Sequence, residues 1–393
     1  MSQCEDSMDL SLTEEQMMIQ DMARKFAETE LAPVAAELDE TQDQAIFLAN
    51  LAKLTELGFM GLNVKAEYGG VEAGTVAFSL AITELAKACA STAVTTSVTN
   101  MVAEVIQAVG NEEQKQSYLP KICSGEYKAG AFCLTENTAG SDPAGMKTTA
   151  TKDGDHYILN GSKLYITSGT FAGVFVVWAV TDTSAPKGKG ISCFIVEAGT
   201  SGMTIGKTED KMGQKASPTN EIHFENCRIP ASAMLGQENR GFAVAVGELA
   251  GGRIGIGSLA LGVGLAAMDY AKAYMVERKQ FGQPIADFQG LQWKLAERYT
   301  ELEAARLLLM QAAYTKEQGQ PFGKAASMAK LFAAEKANVA CYDALQLMGG
   351  AGYIKEYPLE RMARDVRVTS IYEGTSEIQK VIIARDLLRE INH

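Results

Sequence analysis

The periodicity of the chain changes twice, and that change limits the fold more than any other feature. Residues 1–126 and 239–393 carry apolar side chains at three-to-four spacing, the mark of helices with a buried face. Residues 127–238 instead carry short β-prone runs punctuated by Asp153-Gly154 and Asn160-Gly161. Both dipeptides accept positive φ and so favour tight hairpin turns. A period-two segment between two helical ones calls for a multidomain α and β chain. The expected order is an N-terminal helical domain (1–126), a middle β-barrel or sandwich domain (127–238) and a C-terminal four-helix bundle (239–393). With 393 residues the chain is also too long for one ordinary core.

Within this frame, Ser11 and Glu14 have capping-box spacing ahead of a helix that runs through Met18, Met22 and Phe26 until Pro33 interrupts it. A second helix is expected over 45–57, ending at Gly58, and buried helices over 73–109. Strands are expected at 148–152, 157–159, 163–167, 173–180, 190–196 and 221–224. Long helices follow over 241–276, 288–316 and 324–347. A last one, over about 377–391, presents Ile378, Val381, Ile382, Leu387, Leu388 and Ile391.

The net charge of −12, with acids and bases interspersed, argues against nucleic acid as the main partner, because phosphate backbones need a clustered basic surface. No apolar run approaches a membrane span, and the acidic first residues do not resemble a secretory or transit signal. The expectation is a cytoplasmic protein, or a mitochondrial-matrix one if the chain is a processed eukaryotic product. Seven cysteines, at 4, 89, 123, 133, 193, 227 and 341, include no CxxC pair, so neither a disulfide framework nor a zinc site is expected. The three histidines are His156, His223 and the terminal His393. A metal cluster or a Ser-His-Asp arrangement is therefore disfavoured, and acid–base work falls to a carboxylate.

Gly255, Gly257 and Ala260 match a dinucleotide fingerprint, with Glu277 about twenty residues on, but the stretch before them reads as helix rather than strand. Small residues at 252, 255, 257, 260, 262 and 264 suit close helix packing instead. Residues 132–141 concentrate hydroxyls and backbone donors between the first two regions, as a cofactor-approaching loop or an ordinary connector would. Ser376 and Gln379 have capping-box spacing, which places Glu373 in the loop before the last helix. Its neighbours Ile371, Tyr372 and Gly374 are apolar enough to raise a carboxylate's pKa, and Gly374 permits close approach. A solvated loop glutamate is the plainer alternative. Arg278, before Phe281-Gly282, suits a phosphate or a plain helix stop. Gly349, Gly350 and Gly352 form a flexible loop or a C-cap.

Together these stretches resemble the acyl-CoA dehydrogenase family over essentially the whole chain, above all its short-chain, butyryl-CoA-type members. The resemblance implies FAD as cofactor. Phe132, Leu134, Thr135, Gly140 and Ser141 match the flavin-contacting segment, and Ser141 also meets the acyl-CoA. Tyr165, Ile166 and Thr167 match the strand beside the isoalloxazine ring. Arg278, Phe281 and Gln289, with Gln346, Leu347, Gly349 and Gly350, match residues that hold FAD across a subunit interface. Thr375 and Glu377 match the turn touching the same cofactor. Arg253, Tyr372 and Gly374 fall on the substrate side, and Glu373 matches the catalytic base. Three departures stand out: Tyr165 replaces the more usual Trp, Asn137-Thr138 the more usual Pro-Gly, and Ala250 an Asp that bears on CoA. Gly252 lies where isovaleryl and long-chain branches place their base.

The implied reaction is α,β-dehydrogenation of an acyl-CoA thioester to the trans-2-enoyl-CoA, as in fatty acid β-oxidation. Glu373 would take the α-proton, flavin N5 would accept the β-hydride, and electrons would pass to an electron-transfer flavoprotein. The Glu373 N–H and a ribityl hydroxyl would hold the thioester oxygen. A homotetramer is the expected assembly. The helix over 90–101, rich in hydroxyls, closes the acyl pocket in the family and suggests a short or functionalised chain. Alternatives are an enoyl-CoA reductase running in reverse, or a non-catalytic acyl-CoA-binding protein on the same fold. A monooxygenase, nitroalkane oxidase or base-free desulfinase is disfavoured by the presence of Glu373.

Overall fold

The computed structural model describes residues 11–391. Cys4 and His393 lie outside them. The N-terminal helices are α1 (Glu14–Phe26), α2 (Ala35–Thr41), α3 (Gln44–Glu56), α4 (Gly74–Ala88), α5 (Ala90–Val109) and α6 (Glu112–Cys123). The first cap is not Ser11 with Glu14. Thr13 accepts from Gln16 N at 3.2 Å while the Gln16 side chain accepts from Thr13 N at 3.0 Å. The same box spacing two residues later sets the start of α1, whose Ile19, Ala23 and Phe26 are buried. The buried helices expected over 73–109 are two, separated at Cys89, whose φ of −148° and ψ of 103° are extended.

The middle region contributes β1 (Gly130–Cys133), β2 (Thr149–Asp153), β3 (His156–Thr167), β4 (Val174–Val180), β5 (Ile191–Glu197), β6 (Met203–Thr208), β7 (Thr219–Pro230) and β8 (Met234–Leu235). They form one mixed sheet in the order β6-β7-β3-β2-β4-β5-β8, with β1 parallel to β4. Asp153-Gly154 turns β2 into β3 as expected, Gly154 having φ of 60°. Asn160-Gly161 does not turn the chain. β3 runs straight through it, with a register shift against β7 between Leu159 and Gly161. The reason is steric: a Cβ on Gly161 would lie 2.5 Å from Thr148 Oγ1, so the glycine admits the neighbouring strand rather than reversing its own. Along β4, Val174, Val176 and Trp178 face a core shared with α5 and α6, while Phe175, Val177 and Ala179 face the core inside the sheet. This burial on both faces explains the unbroken apolar run of that strand.

The C-terminal region begins with α7 (Gly241–Glu277), followed by a two-stranded hairpin of β9 (Lys279–Gln280) and β10 (Gln283–Pro284). Then come α8 (Gln289–Glu317), α9 (Gly323–Met348), α10 (Gly350–Tyr353), α11 (Leu359–Arg367) and α12 (Ser376–Glu390). Of the two readings of the glycine stretch, the C-cap holds at Gly349, with φ of 59°, while Gly350 and Gly352 lie in the short helix α10 rather than in a loop. α7 packs on α9 and α8, α12 on α9, and α4 of the N-terminal region on α7. α7 is long and apolar enough to cross a membrane by length and composition, but 78% of its most apolar stretch is buried in the fold. Trp178 Nε1 donates to Gly241 O at 2.8 Å, which ties the sheet to the first residue of α7. The fingerprint glycines lie inside α7, and added Cβ atoms would lie 2.2 Å from Ser97 Oγ at Gly255 and 2.7 Å from a Leu309 methyl at Gly257. They are packing glycines, with no strand before them.

The six described cysteines are free, and no group of three or more potential metal ligands occurs among the described residues.

Candidate active site

Glu373 sits in a two-residue left-handed turn between α11 and α12, with φ of 56° at Glu373 and 88° at Gly374. A non-glycine residue there is strained and must be held by its surroundings. Gln379 holds it. Its Nε2 donates to Glu373 O at 3.1 Å and to Gly374 O at 2.9 Å. The sequence expectation that Ser376 caps α12 with Gln379 therefore fails. Thr375 is the cap, accepting from Ile378 N at 3.3 Å, because Gln379 is turned back onto the carbonyls and Ser376 Oγ donates to Glu335 at 2.5 Å.

The carboxyl of Glu373 points into the protein. Although the residue is partly exposed, its Oε2 is shut off from solvent and has no hydrogen-bond partner. Burial pushes the carboxyl up to about 7, against the opposing pull of Arg253 and Lys330. Arg253 of α7 is itself buried, at 5% exposure, with its Nη1 3.4 Å from Ser327 Oγ. A Cβ on Gly252 would lie 2.7 Å from Glu373 Oε2 and 2.7 Å from Met101 Sδ. One turn further along α7, a Cβ on Gly255 would meet Ser97 Oγ and the Phe78 ring. α5 and α7 thus face each other around the carboxylate and close together beyond it.

The loop after β6 connects this turn to the sheet. Gln214 Nε2 donates to Tyr372 Oη at 3.1 Å, Thr95 Oγ1 and Ser217 Oγ are 2.9 Å apart, and Ser168 N donates to Pro218 O at 2.8 Å. Ser168 directly follows the Tyr165-Ile166-Thr167 stretch at the end of β3. In that stretch Ile166 is buried, whereas Tyr165 has φ of 59° and stands 62% exposed. Leu164 N donates to Thr135 O at 2.9 Å, so the 132–141 loop lies along the same strand. Within that loop Phe132 packs on Trp178, Leu134 is buried, Thr135 is half-buried, and Gly140 and Ser141 are exposed. Tyr372, Gly374 and Thr375 are half-buried around Glu373, and Glu377 is exposed on the first turn of α12.

The other set gathers elsewhere. Arg278 caps the end of α7, Phe281 is 94% exposed in the hairpin, and Gln289 opens α8. Gln346, Gly349 and Gly350 are exposed at the end of α9, where Leu347 is buried. All lie at the same end of the bundle, and α7 alone separates Gly252 from Arg278 by roughly 39 Å. The fold does not bring this set beside Glu373 within one protomer.

Sequence reasoning missed two fully buried lysines here. Lys330 of α9 donates to Gly374 O at 2.8 Å, and Gln379 grips the same turn. Lys163 of β3 pairs with Glu136 at 2.8 Å and donates to Leu134 O at 3.2 Å, fixing the 132–141 loop from beneath. Their signal was an interrupted pattern: a lysine at an interior position of an otherwise apolar face, which only a buried partner permits.

The sequence matches the acyl-CoA dehydrogenase N-terminal domain over residues 13–126, the middle domain over 131–227 and the C-terminal domain over 239–388. It is 46% identical over 384 residues to the short-chain specific acyl-CoA dehydrogenase of Clostridium acetobutylicum, covering 97% of this chain and 100% of that one. It is 47% identical to the acryloyl-CoA reductase (NADH) of Anaerotignum propionicum, covering 97% and 96% of the two chains. The solved butyryl-CoA dehydrogenase of Megasphaera elsdenii superposes with a TM-score of 0.93 at 41% identity, covering 97% of this chain and 100% of that one. A helical, β and helical chain with a desolvated carboxylate between two helices is the architecture of a flavin-dependent dehydrogenase. The chain belongs to the acyl-CoA dehydrogenase family, and FAD is its cofactor. The residues present fit that group: an exposed aromatic side chain at Tyr165, and near it in the chain a buried Ser168 hydroxyl without a partner.

Proposed function

We propose that this chain oxidises a short acyl-CoA thioester to the trans-2-enoyl-CoA, with Glu373 as the base. The observation that carries the reading is the Glu373 carboxylate, desolvated, unpartnered and seated against the helix face of Gly252. A carboxyl raised to about 7 is partly ionised near neutral pH and basic enough to take a proton from carbon. Among the described residues the Glu373 N–H has no acceptor in the fold, so it is free to donate to the thioester oxygen, where charge gathers as the α-proton leaves. Phe132, Leu134, Thr135, Gly140, Ser141, Tyr165, Ile166 and Thr167 would hold the flavin of their own protomer, with Thr375 and Glu377 behind the base. Arg278, Phe281, Gln289, Gln346, Leu347, Gly349 and Gly350 would serve a neighbouring subunit of a homotetramer. Ser141, Arg253, Tyr372 and Gly374 would meet the substrate. When bound, FAD supplies the acceptor for the β-hydride.

The closure of α4 and α5 on α7 at Phe78, Ser97 and Gly255 supports a short acyl chain. We assign reoxidation to an electron-transfer flavoprotein, the role to fatty acid β-oxidation in the cytoplasm, and the structural units to residues 1–126, 127–238 and 239–393. The similarity to acryloyl-CoA reductase keeps the reverse direction, reduction of an enoyl-CoA, as the second reading. Anaerobic mixing of the purified FAD enzyme with propionyl- to octanoyl-CoA tests the proposal. Bleaching of the oxidised flavin band, strongest near four carbons, is the expected result. No bound flavin, or no bleaching with any saturated thioester, would overturn it.

A further inference from the structure

We propose that Lys330 is a positioning residue for Glu373: from α9 it grips the Gly374 carbonyl and keeps a positive charge beside the buried carboxylate. The inference rests on Glu373 being the base, and it concerns a residue that touches neither substrate nor flavin in that reading.

Four observations support it. The Lys330 side chain is fully buried, and the only hydrogen bond it makes among the described residues is to Gly374 O, at 2.8 Å. That carbonyl is exposed to α9 because Glu373 and Gly374 both have positive φ, so donor and left-handed turn require each other. Ser327, one turn earlier on α9, lies against the Arg253 guanidinium, so one helix face steadies both cationic neighbours of the carboxylate. Finally, a buried lysine is strongly penalised unless an opposite charge compensates it, and Glu373 is the main compensating charge.

The charged groups facing this pair come from three helices. Arg253 of α7 bears on both Glu373 and Lys330, Glu335 of α9 and Glu377 of α12 bear on Lys330, and Arg385 of α12 bears on Arg253. Burial lowers the Lys330 ammonium to about 8, while Glu373 draws it back up. Near neutral pH the ammonium is still largely charged and stabilises the ionised form of Glu373.

The test follows exchange of the substrate α-proton with D2O as a function of pH, in the FAD-loaded enzyme with butyryl-CoA. Amide hydrogen exchange over residues 371–380 is read alongside. Lys330→Met should move the acid limb of α-proton exchange upward by about one pH unit. It should also lower amide protection of the turn at least tenfold, and Lys330→Arg should restore most of both. An unmoved limb in a Lys330→Met enzyme that still binds FAD would overturn the proposal. If Lys330→Met does not fold, Lys330→Arg decides: a wild-type limb supports the proposal, and a limb displaced upward with the charge retained overturns it. Glu373→Gln separates the two levels. Persisting α-proton exchange in that variant removes Glu373 as the base. Lost exchange there with an unmoved limb in Lys330→Met removes only the role of Lys330.

Discussion

The Glu373 carboxylate occupies the space into which any side chain at position 252 would project: its Oε2 is 2.7 Å from the Cβ position of Gly252. Real Cβ atoms do not approach an oxygen so closely, so the two positions compete for one volume. Gly252→Ala should therefore displace the carboxylate and lower kcat by about tenfold or more, with FAD retained, since near-attack geometry is lost with a shift on the order of 1 Å. The same relationship predicts that the double variant Gly252→Glu with Glu373→Gly recovers part of the turnover, because a carboxylate can reach the same volume from α7. Stopped-flow flavin bleaching measures both. An undisturbed rate in Gly252→Ala would contradict the packing.

The desolvation of Glu373 has two pH signatures of opposite sign. As the proposed base, Glu373 must be ionised, so kcat/KM should fall about tenfold per unit as pH drops below about 7. For stability the direction reverses. The folded carboxyl holds its proton more tightly than the unfolded one, so its contribution is full below the ordinary glutamate range and is lost as pH rises through about 7. Glu373→Gln should match wild type near pH 4.5 and exceed it at pH 8 by on the order of 2 kcal/mol. Thermal melts of both proteins at the two pH values check this. Equal Tm differences at both would argue against a buried, ionising Glu373.

The pair of Glu136 and Lys163 is shielded on all sides, with 6% and 0% of the two side chains exposed. Glu136 also accepts from Lys147 N at 2.5 Å and Thr148 N at 3.0 Å. Burial alone would raise its carboxyl, but Lys163 and these donors outweigh that and hold it below the ordinary range. Lys163→Met strands the carboxylate, which should cost about 3–5 kcal/mol. Because Lys163 also bonds Leu134 O, the variant should lose FAD affinity along with Tm. Titration of the apoprotein with FAD, read by flavin fluorescence, would show it. Unchanged affinity in a destabilised variant would confine the pair to stability.

What the sequence made legible was periodic or chemically singular. The change of period set the three-layer order, and the long apolar face of α7 gave its helix despite the misleading glycines. Glu373 was singled out by the family resemblance, because Ile371, Tyr372 and Gly374 alone left a solvated loop glutamate as the plainer reading. The misses were choices between equivalent local signals. Ser11 and Thr13 both begin a capping box, and only the burial of Ile19, Ala23 and Phe26 selects the second. Asn160-Gly161 has the chemistry of a turn, but the approach of Thr148 makes it a strand kink. Gln379 had capping spacing with Ser376 yet is drawn to the Glu373 and Gly374 carbonyls. In each case a tertiary partner, distant in sequence, decided the outcome.

The depth of the acyl pocket should follow the contact at Ser97. A Cβ on Gly255 would lie 2.2 Å from Ser97 Oγ, with the Phe78 ring at 3.3 Å, so α5 and α7 approach closely one helical turn beyond Met101 and Gly252. Removing the hydroxymethyl group at 97 opens space between the helices, whereas a larger group at 97 cannot be taken up by a glycine neighbour already in contact. Ser97→Gly should therefore raise kcat/KM for hexanoyl-CoA relative to butyryl-CoA. One or two extra methylenes buried at about 0.8 kcal/mol each correspond to a relative gain of about four- to fifteenfold. Ser97→Leu should act oppositely, losing butyryl-CoA before shorter thioesters. Steady-state assays across the chain-length series measure the ratio. A Ser97→Gly preference indistinguishable from wild type would place the end of the acyl chain elsewhere than between these two helices.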